Sequence, residues 1–161
     1  MIAVDSIDPA MSSWCMLTIR KLVPSDRAAW QALFEAYMTF YERTLAAPMY
    51  ERAWTAFQAD TDMHALAAER DGRLIGITHF LVHANTSAAD VCYLQDLFTA
   101  PDQRGQGVGR ALIVAVADWA RGRACSRLYW MTHESNAVAR RLYDAVAVNR
   151  GFIRYQMDLD R

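Results

Sequence analysis

The chain has 161 residues, 53% of them hydrophobic and 22% charged, which suits one domain with one core and lies far from the composition of disorder. Acidic residues number 18 against 17 basic ones, and the formal charge of -1 excludes the basic field that generic nucleic-acid binding needs. Cys15, Cys92 and Cys125 form no CxxC pair, so neither a disulfide framework nor a cysteine metal site is expected, and a cytoplasmic setting fits.

Residues 1–13 carry Ser, Asp and Pro without apolar periodicity and read as a flexible leader, with the domain proper at 14–161. With Asp5 and Asp8 early, this segment lacks the positive region of a signal peptide. Leu17, Ile19 and Leu22 lie in a β-prone run that stops at Pro24, and Ser25 or Asp26 then caps a helix. Trp30, Leu33, Phe34 and Tyr37 recur there at three- and four-residue spacing, one face of an amphipathic helix. Pro48 opens a second helix with Tyr50, Ala53, Trp54 and Phe57 on one side, closed by the polar stretch 60–62.

Strands at 64–68 and 73–82 flank Asp71-Gly72, a strong hairpin signal. A third strand, 91–99, is stopped by Pro101. Beyond the glycines at 105, 107 and 109, Val108, Leu112, Ala115, Val116 and Trp119 mark a helix that ends near Gly122, read as a C′ glycine. Its apolar run, 111–117, is far short of the roughly 20 residues that cross a bilayer, so no membrane partner is expected. Residues 127–132 read as a strand, Asn136 caps a helix with Leu142, Tyr143 and Val146 inward, and 152–159 alternate like a final strand. A meander followed by strand-helix-strand predicts an α/β domain with a mixed sheet.

The chemistry is concentrated between Leu97 and Arg110, where a strand runs through a glycine turn into a helix. Such a junction offers unpaired N–H groups and the positive end of a helix dipole to an anion. The G-x-G-x-G spacing is not the dinucleotide fingerprint, and the Lys-Ser/Thr of a Walker loop is missing. Sixteen of the basic residues are arginine, the side chain suited to forked phosphate contacts, and Arg104 and Arg110 flank the glycines.

Arg104-Gly105-Gln106-Gly107-Val108-Gly109 resembles the acetyl-CoA motif of the GCN5-related N-acetyltransferase family, Arg/Gln-x-x-Gly-x-Gly/Ala. Element order is similar from Leu17 onward, and residue pattern is similar from Tyr93 to Tyr143. The resemblance implies a mostly antiparallel central sheet flanked by helices on both faces, with acetyl-CoA as cosubstrate. By it, the backbone of Leu97, Phe98 and Thr99 pairs with the pantetheine arm, and the Phe98 amide polarises the thioester. The amides of Gly105, Gln106, Gly107, Val108, Gly109 and Arg110 hold the pyrophosphate. Asn136 contacts the pantetheine region, a role open beside that of a simple N-cap. Tyr143, two helical turns after Asn136, protonates the departing thiolate, where a core tyrosine is the alternative.

An amine must lose a proton before it attacks. The polyamine-type branch has a glutamate where this chain has Gln95; Asp96 is adjacent and is the candidate base, although strict alternation turns it to the other sheet face. His79 and His83 are alternative bases; on a strand their spacing makes no metal pair, so no metal is expected. Glu35, Glu42 and Glu51 lie near the helical pair where the family shapes its acceptor site, as attractors of a cationic substrate or as solvated helix-face charges.

The resemblance, nearest to polyamine/thialysine-type and histone-acetyltransferase-like members, points to direct transfer to a small primary amine by a homodimer. Protein lysine or N-terminal acetylation, a non-catalytic acyl-CoA-binding module and a nucleotide-binding module are the competing readings.

Overall fold

In the computed structural model, which describes residues 16–159, five strands lie side by side in chain order: β1 (Thr18–Lys21), β2 (His64–Arg70), β3 (Arg73–His83), β4 (Val91–Thr99) and β5 (Arg127–Tyr129). The helices are α1 (Arg27–Phe40), α2 (Ala47–Ala59), α3 (Val108–Gly122) and α4 (Ala137–Val146). The chain divides after Trp130 into two compact units. The first holds the whole sheet with α1, α2 and α3; the second holds α4 and a carboxy-terminal segment without regular secondary structure. The leader at 1–13 lies outside the described residues.

β1 to β4 pair antiparallel, and β5 runs parallel to β4. A parallel pair needs a long crossover, and α3 supplies it. α1 and α2 cover one face of the sheet, where Trp30, Phe34, Met38, Tyr50 and Phe57 pack with Ala65, Ile77 and Phe98. α3 covers the other, its Trp119 ring edge-on to Phe80 at 4.8 Å. β3 is buried from Leu74 to Phe80, as expected of a central strand covered on both faces. Gly76 lets α3 come close: a Cβ there would sit 3.0 Å from both the Phe98 carbonyl and Val108 Cγ1.

The sequence reading is corrected most in the second half of the chain, although β2 also runs on to Arg70. β5 stops at Tyr129. Gly122 is the last residue of α3 instead of its C′ residue; Ala124 takes the left-handed conformation, φ 56°, with the Cys125 amide on the Ala120 carbonyl at 3.0 Å and the Ala124 amide on Arg121 at 3.0 Å. The expected last strand does not form: residues 147–159 have no regular secondary structure, Gly151 is left-handed at φ 75°, none of the described strands pairs with them, and Phe152, Ile153, Tyr155, Met157 and Leu159 are exposed.

The entry to α1 is fixed by Asp26, whose carboxylate receives a forked pair from Arg20, at 2.6 and 3.0 Å, and the Val23 amide at 2.8 Å. The Arg20 hydrogen bonds outweigh desolvation and, with Val23, hold the carboxyl below its usual range. A lowered folded-state value gives stability that is present above the unfolded value, about pH 3.9, and is lost as pH falls through the folded value. Asp26→Ala should therefore cost about 2 kcal/mol at pH 7. Melts from pH 7 to pH 3 should show the gap to wild type closing at the acid end; a gap independent of pH would contradict the assignment.

Candidate active site

β4 pairs with β3 along its length but with β5 only at Val91, Cys92 and Tyr93. From Leu94 onward the edge of β4 on the β5 side has no partner strand among the described residues, so Leu97 and Thr99 turn their backbone groups to an open edge of the kind an extended ligand joins. The Phe98 side chain is buried under α1, and its backbone, in register with Ile77 as Ala100 is with Ile75, turns to β3, so its amide is not free to polarise a thioester as expected; the amides of Leu97 and Thr99 face the edge.

The strand runs into a short helical turn at Pro101–Gln103 and then the glycines. Gly105 and Gly107 have φ of 74° and 80° and open space around the position of a Cβ, so the turn needs glycine for conformation, not for room. The first paired amide of α3 is Ala111, on the Gly107 carbonyl at 2.9 Å. Those of Gly105, Gln106, Gly107, Val108, Gly109 and Arg110 have no acceptor among the described residues, and the first turn carries no acidic side chain. Six free donors at the positive end of a 15-residue helix suit a pyrophosphate. Val108 itself is buried and offers only its backbone, while Arg110 is exposed in the first turn.

Two residues that the sequence did not single out brace this turn from the β2–β3 hairpin. Arg70 donates to Gln103 at 3.0 Å and Gln106 at 2.5 Å, and Arg73 forks onto Asp102 at 2.9 and 3.2 Å. The only sequence signal was their place beside Asp71-Gly72. Arg104, expected at the phosphates, turns back instead: its guanidinium lies 5.7 Å over Phe40 and 5.6 Å over Phe98, and Nε donates to the Thr99 carbonyl at 3.2 Å.

Asp96 stands opposite His79, whereas the next pair is Phe80 with Leu94, so Gln95 is an extra residue in β4. This bulge breaks the alternation from which the direction of Asp96 was inferred. Gln95 is exposed; the Asp96 carboxylate meets His79 Nδ1 at 2.9 Å, on the face that α1 and α2 cover. His79 is fully buried with both ring nitrogens engaged, Nε2 by the Trp30 indole at 2.9 Å, so it is not available as a base. His83 is similarly occupied by the Ala84 carbonyl and the Tyr129 hydroxyl.

Of the helical carboxylates, Glu51 pairs with Arg27 and Glu35 accepts from Gln31 at 2.6 Å. Glu42 sits in a left-handed conformation just beyond α1. No group of three or more potential metal ligands occurs among the described residues.

In the second unit, Asn136 does cap α4, its Oδ1 accepting from the Ala139 amide at 3.3 Å, while Nδ2 reaches Thr132 Oγ1 at 3.4 Å. Tyr143 is half-buried on the same helix, two turns on.

A sheet opened beside β4, with a strand that leads into free amides at the head of a helix, defines a transferase that draws on acyl-coenzyme A. The profile of the Acetyltransferase (GNAT) family matches residues 30–147, and the chain belongs to that family. It is an N-acetyltransferase, and acetyl-CoA is its cosubstrate. It is 31% identical over 147 residues to the D-amino-acid N-acetyltransferase HPA3 of Saccharomyces cerevisiae, spanning 87% of this chain and 89% of that one. To the aminoglycoside N(6')-acetyltransferase type 1 of Stenotrophomonas maltophilia it is 31% identical over 116 residues, 69% of this chain and 72% of that one. The structure of AAC(6')-Iy with a CoA-linked bisubstrate analogue shares the fold at a TM-score of 0.80 and 17% identity, over 89% of this chain and 98% of that one.

Proposed function

We propose that this acetyltransferase moves the acetyl group to the primary amine of a small molecule, by direct transfer within a ternary complex. The carrying observation is the open β4 edge that ends in the free amides of 105–110. Small acceptors are favoured by relatives named for D-amino acids, aminoglycosides and thialysine. We read both compact units as parts of one domain at 14–161, because the family match runs unbroken across Trp130.

The cosubstrate supplies the activated thioester. The chain's residues do the rest. Leu97 and Thr99 align the pantetheine arm by backbone hydrogen bonds, and the amides of 105–110 hold the pyrophosphate. Asn136 combines its cap with a contact to the arm. Asp96 takes a proton from the acceptor ammonium, freeing the lone pair that forms the new C–N bond. The Leu97 amide, which faces the open edge, donates to the oxygen on which charge develops. Tyr143 gives its phenolic proton to the thiolate as the C–S bond breaks, and the second proton, which the nitrogen sheds as the amide forms, restores the phenol through solvent.

The exposed apolar residues Ile153, Tyr155, Met157 and Leu159, alternating along an unpaired segment, support a homodimer formed through this segment. The cysteines Cys92 and Cys125 are free thiols, in keeping with a cytoplasmic setting.

The test is thiol release with acetyl-CoA over a panel of diamines, amino acids, aminoglycosides and lysine peptides. Release should need donor and acceptor together and favour a small amine. Turnover of peptides alone would overturn the acceptor class, and binding without turnover of any amine would overturn the catalytic reading.

A further inference from the structure

We infer that His79 is a positioning residue for Asp96: a buried hydrogen-bond chain, Trp30 to His79 to Asp96, ties one carboxylate oxygen and leaves the other to take the proton. This rests on Asp96 being the base.

The imidazole lies at the centre of β3 with no exposed surface, stacked on Phe57 at 4.4 Å and met edge-on by Phe34 at 4.9 Å. An apolar side chain would fill such a box at lower cost, since a buried polar ring is tolerated only when its hydrogen bonds are made. Here both are made. The Trp30 indole is a donor only, so Nε2 must accept, and the ring proton is therefore on Nδ1, facing Asp96 Oδ2 at 2.9 Å.

The chain thus fixes the tautomer from α1 and the carboxylate from β3. Oδ1 of Asp96 has no hydrogen-bond partner among the described residues, and the side chain keeps 14% of its surface exposed. The bulge at Gln95 is what turns the carboxylate to this face. A base held by one oxygen presents the other in a single direction, and loss of that orientation slows transfer without altering thioester binding.

Two amide substitutions separate positioning from space filling. In His79→Asn the side-chain N–H group stands where Nδ1 stands and can still donate to Asp96. In His79→Gln the amide reaches toward the Trp30 end, although Gln is closer to His in volume. Each is made alone and with Asp96→Asn, and kcat, KM for acetyl-CoA and Tm are measured.

We expect His79→Asn to keep kcat within about threefold of wild type and His79→Gln to lose roughly tenfold or more, with KM for acetyl-CoA unchanged. In the Asp96→Asn background the further loss from Gln should vanish, since the residue acts only through Asp96. Activity that follows Tm, with Gln at least as good as Asn, overturns the inference. So does an equal loss from Gln in both backgrounds. If Asp96→Asn alone leaves kcat unchanged, the base assignment itself falls, and this inference with it.

Discussion

Replacement of Tyr143 by phenylalanine is expected to lower kcat by about 10²- to 10⁴-fold, the usual worth of a positioned general acid, and to leave both KM values within about threefold. The substitution removes one oxygen from the middle of α4, a helix whose start is secured by Asn136, and keeps the ring in place. A phenol, with an ordinary pKa near 10, matches the basicity of an alkyl thiolate and needs no ionisation of its own to serve. That match supplies a sharper check than the rate alone. An acetyl thioester of an aryl thiol leaves as a stable thiolate without a proton, so wild type and Tyr143→Phe should come close together with that donor. An unchanged kcat with acetyl-CoA, or the same deficit with both donors, would take the acid role away from Tyr143.

Features written into local chemistry were legible before the structure. The spacing of Trp30 and Phe34 identified the inner face of α1, Asp71-Gly72 the hairpin, and Asn136 the cap of α4. Each depends on neighbours in the chain, so a short window of sequence suffices. The glycine turn was legible for the same reason: left-handed geometry at 105 and 107 asks for glycine, and the helix behind it explains why the amides are free. What depends on partners distant in sequence was not. The bulge at Gln95 exists because β4 must match β3, and no feature of Gln95 itself marks it. It reversed the inference drawn for Asp96 from alternation. The role of His79 was hidden in the same way, since its two partners lie 49 and 17 residues away. Arg70 and Arg73 became relevant only when the hairpin was folded against the glycine turn. The carboxy-terminal segment shows the reverse case: alternation is a property of the segment, whereas a strand is a property of a pair.

Gly107→Ala should raise KM for acetyl-CoA by about tenfold, with kcat at saturation within about twofold of wild type. Gly107 has φ of 80°, where an L-residue pays about 1–2 kcal/mol, and nothing lies within 4 Å of the added Cβ. The whole effect is then conformational. The turn is exposed, so the chain relieves the strain by rotating out of the left-handed region with little change in Tm. That rotation re-aims the peptide between Gly107 and Val108 and withdraws N–H donors from the pyrophosphate, which weakens binding by about the energy of the strain avoided. Gly105, with φ of 74°, should respond in the same direction. The reacting carbonyl and the groups around it are untouched, so the cost falls on binding alone. S-acetylpantetheine, which lacks the pyrophosphate, provides the decisive comparison: kcat/KM with this donor should be the same for wild type and Gly107→Ala. An equal loss with both donors would mean that the turn acts on the thioester end, and the assignment of its amides to the phosphates would be wrong.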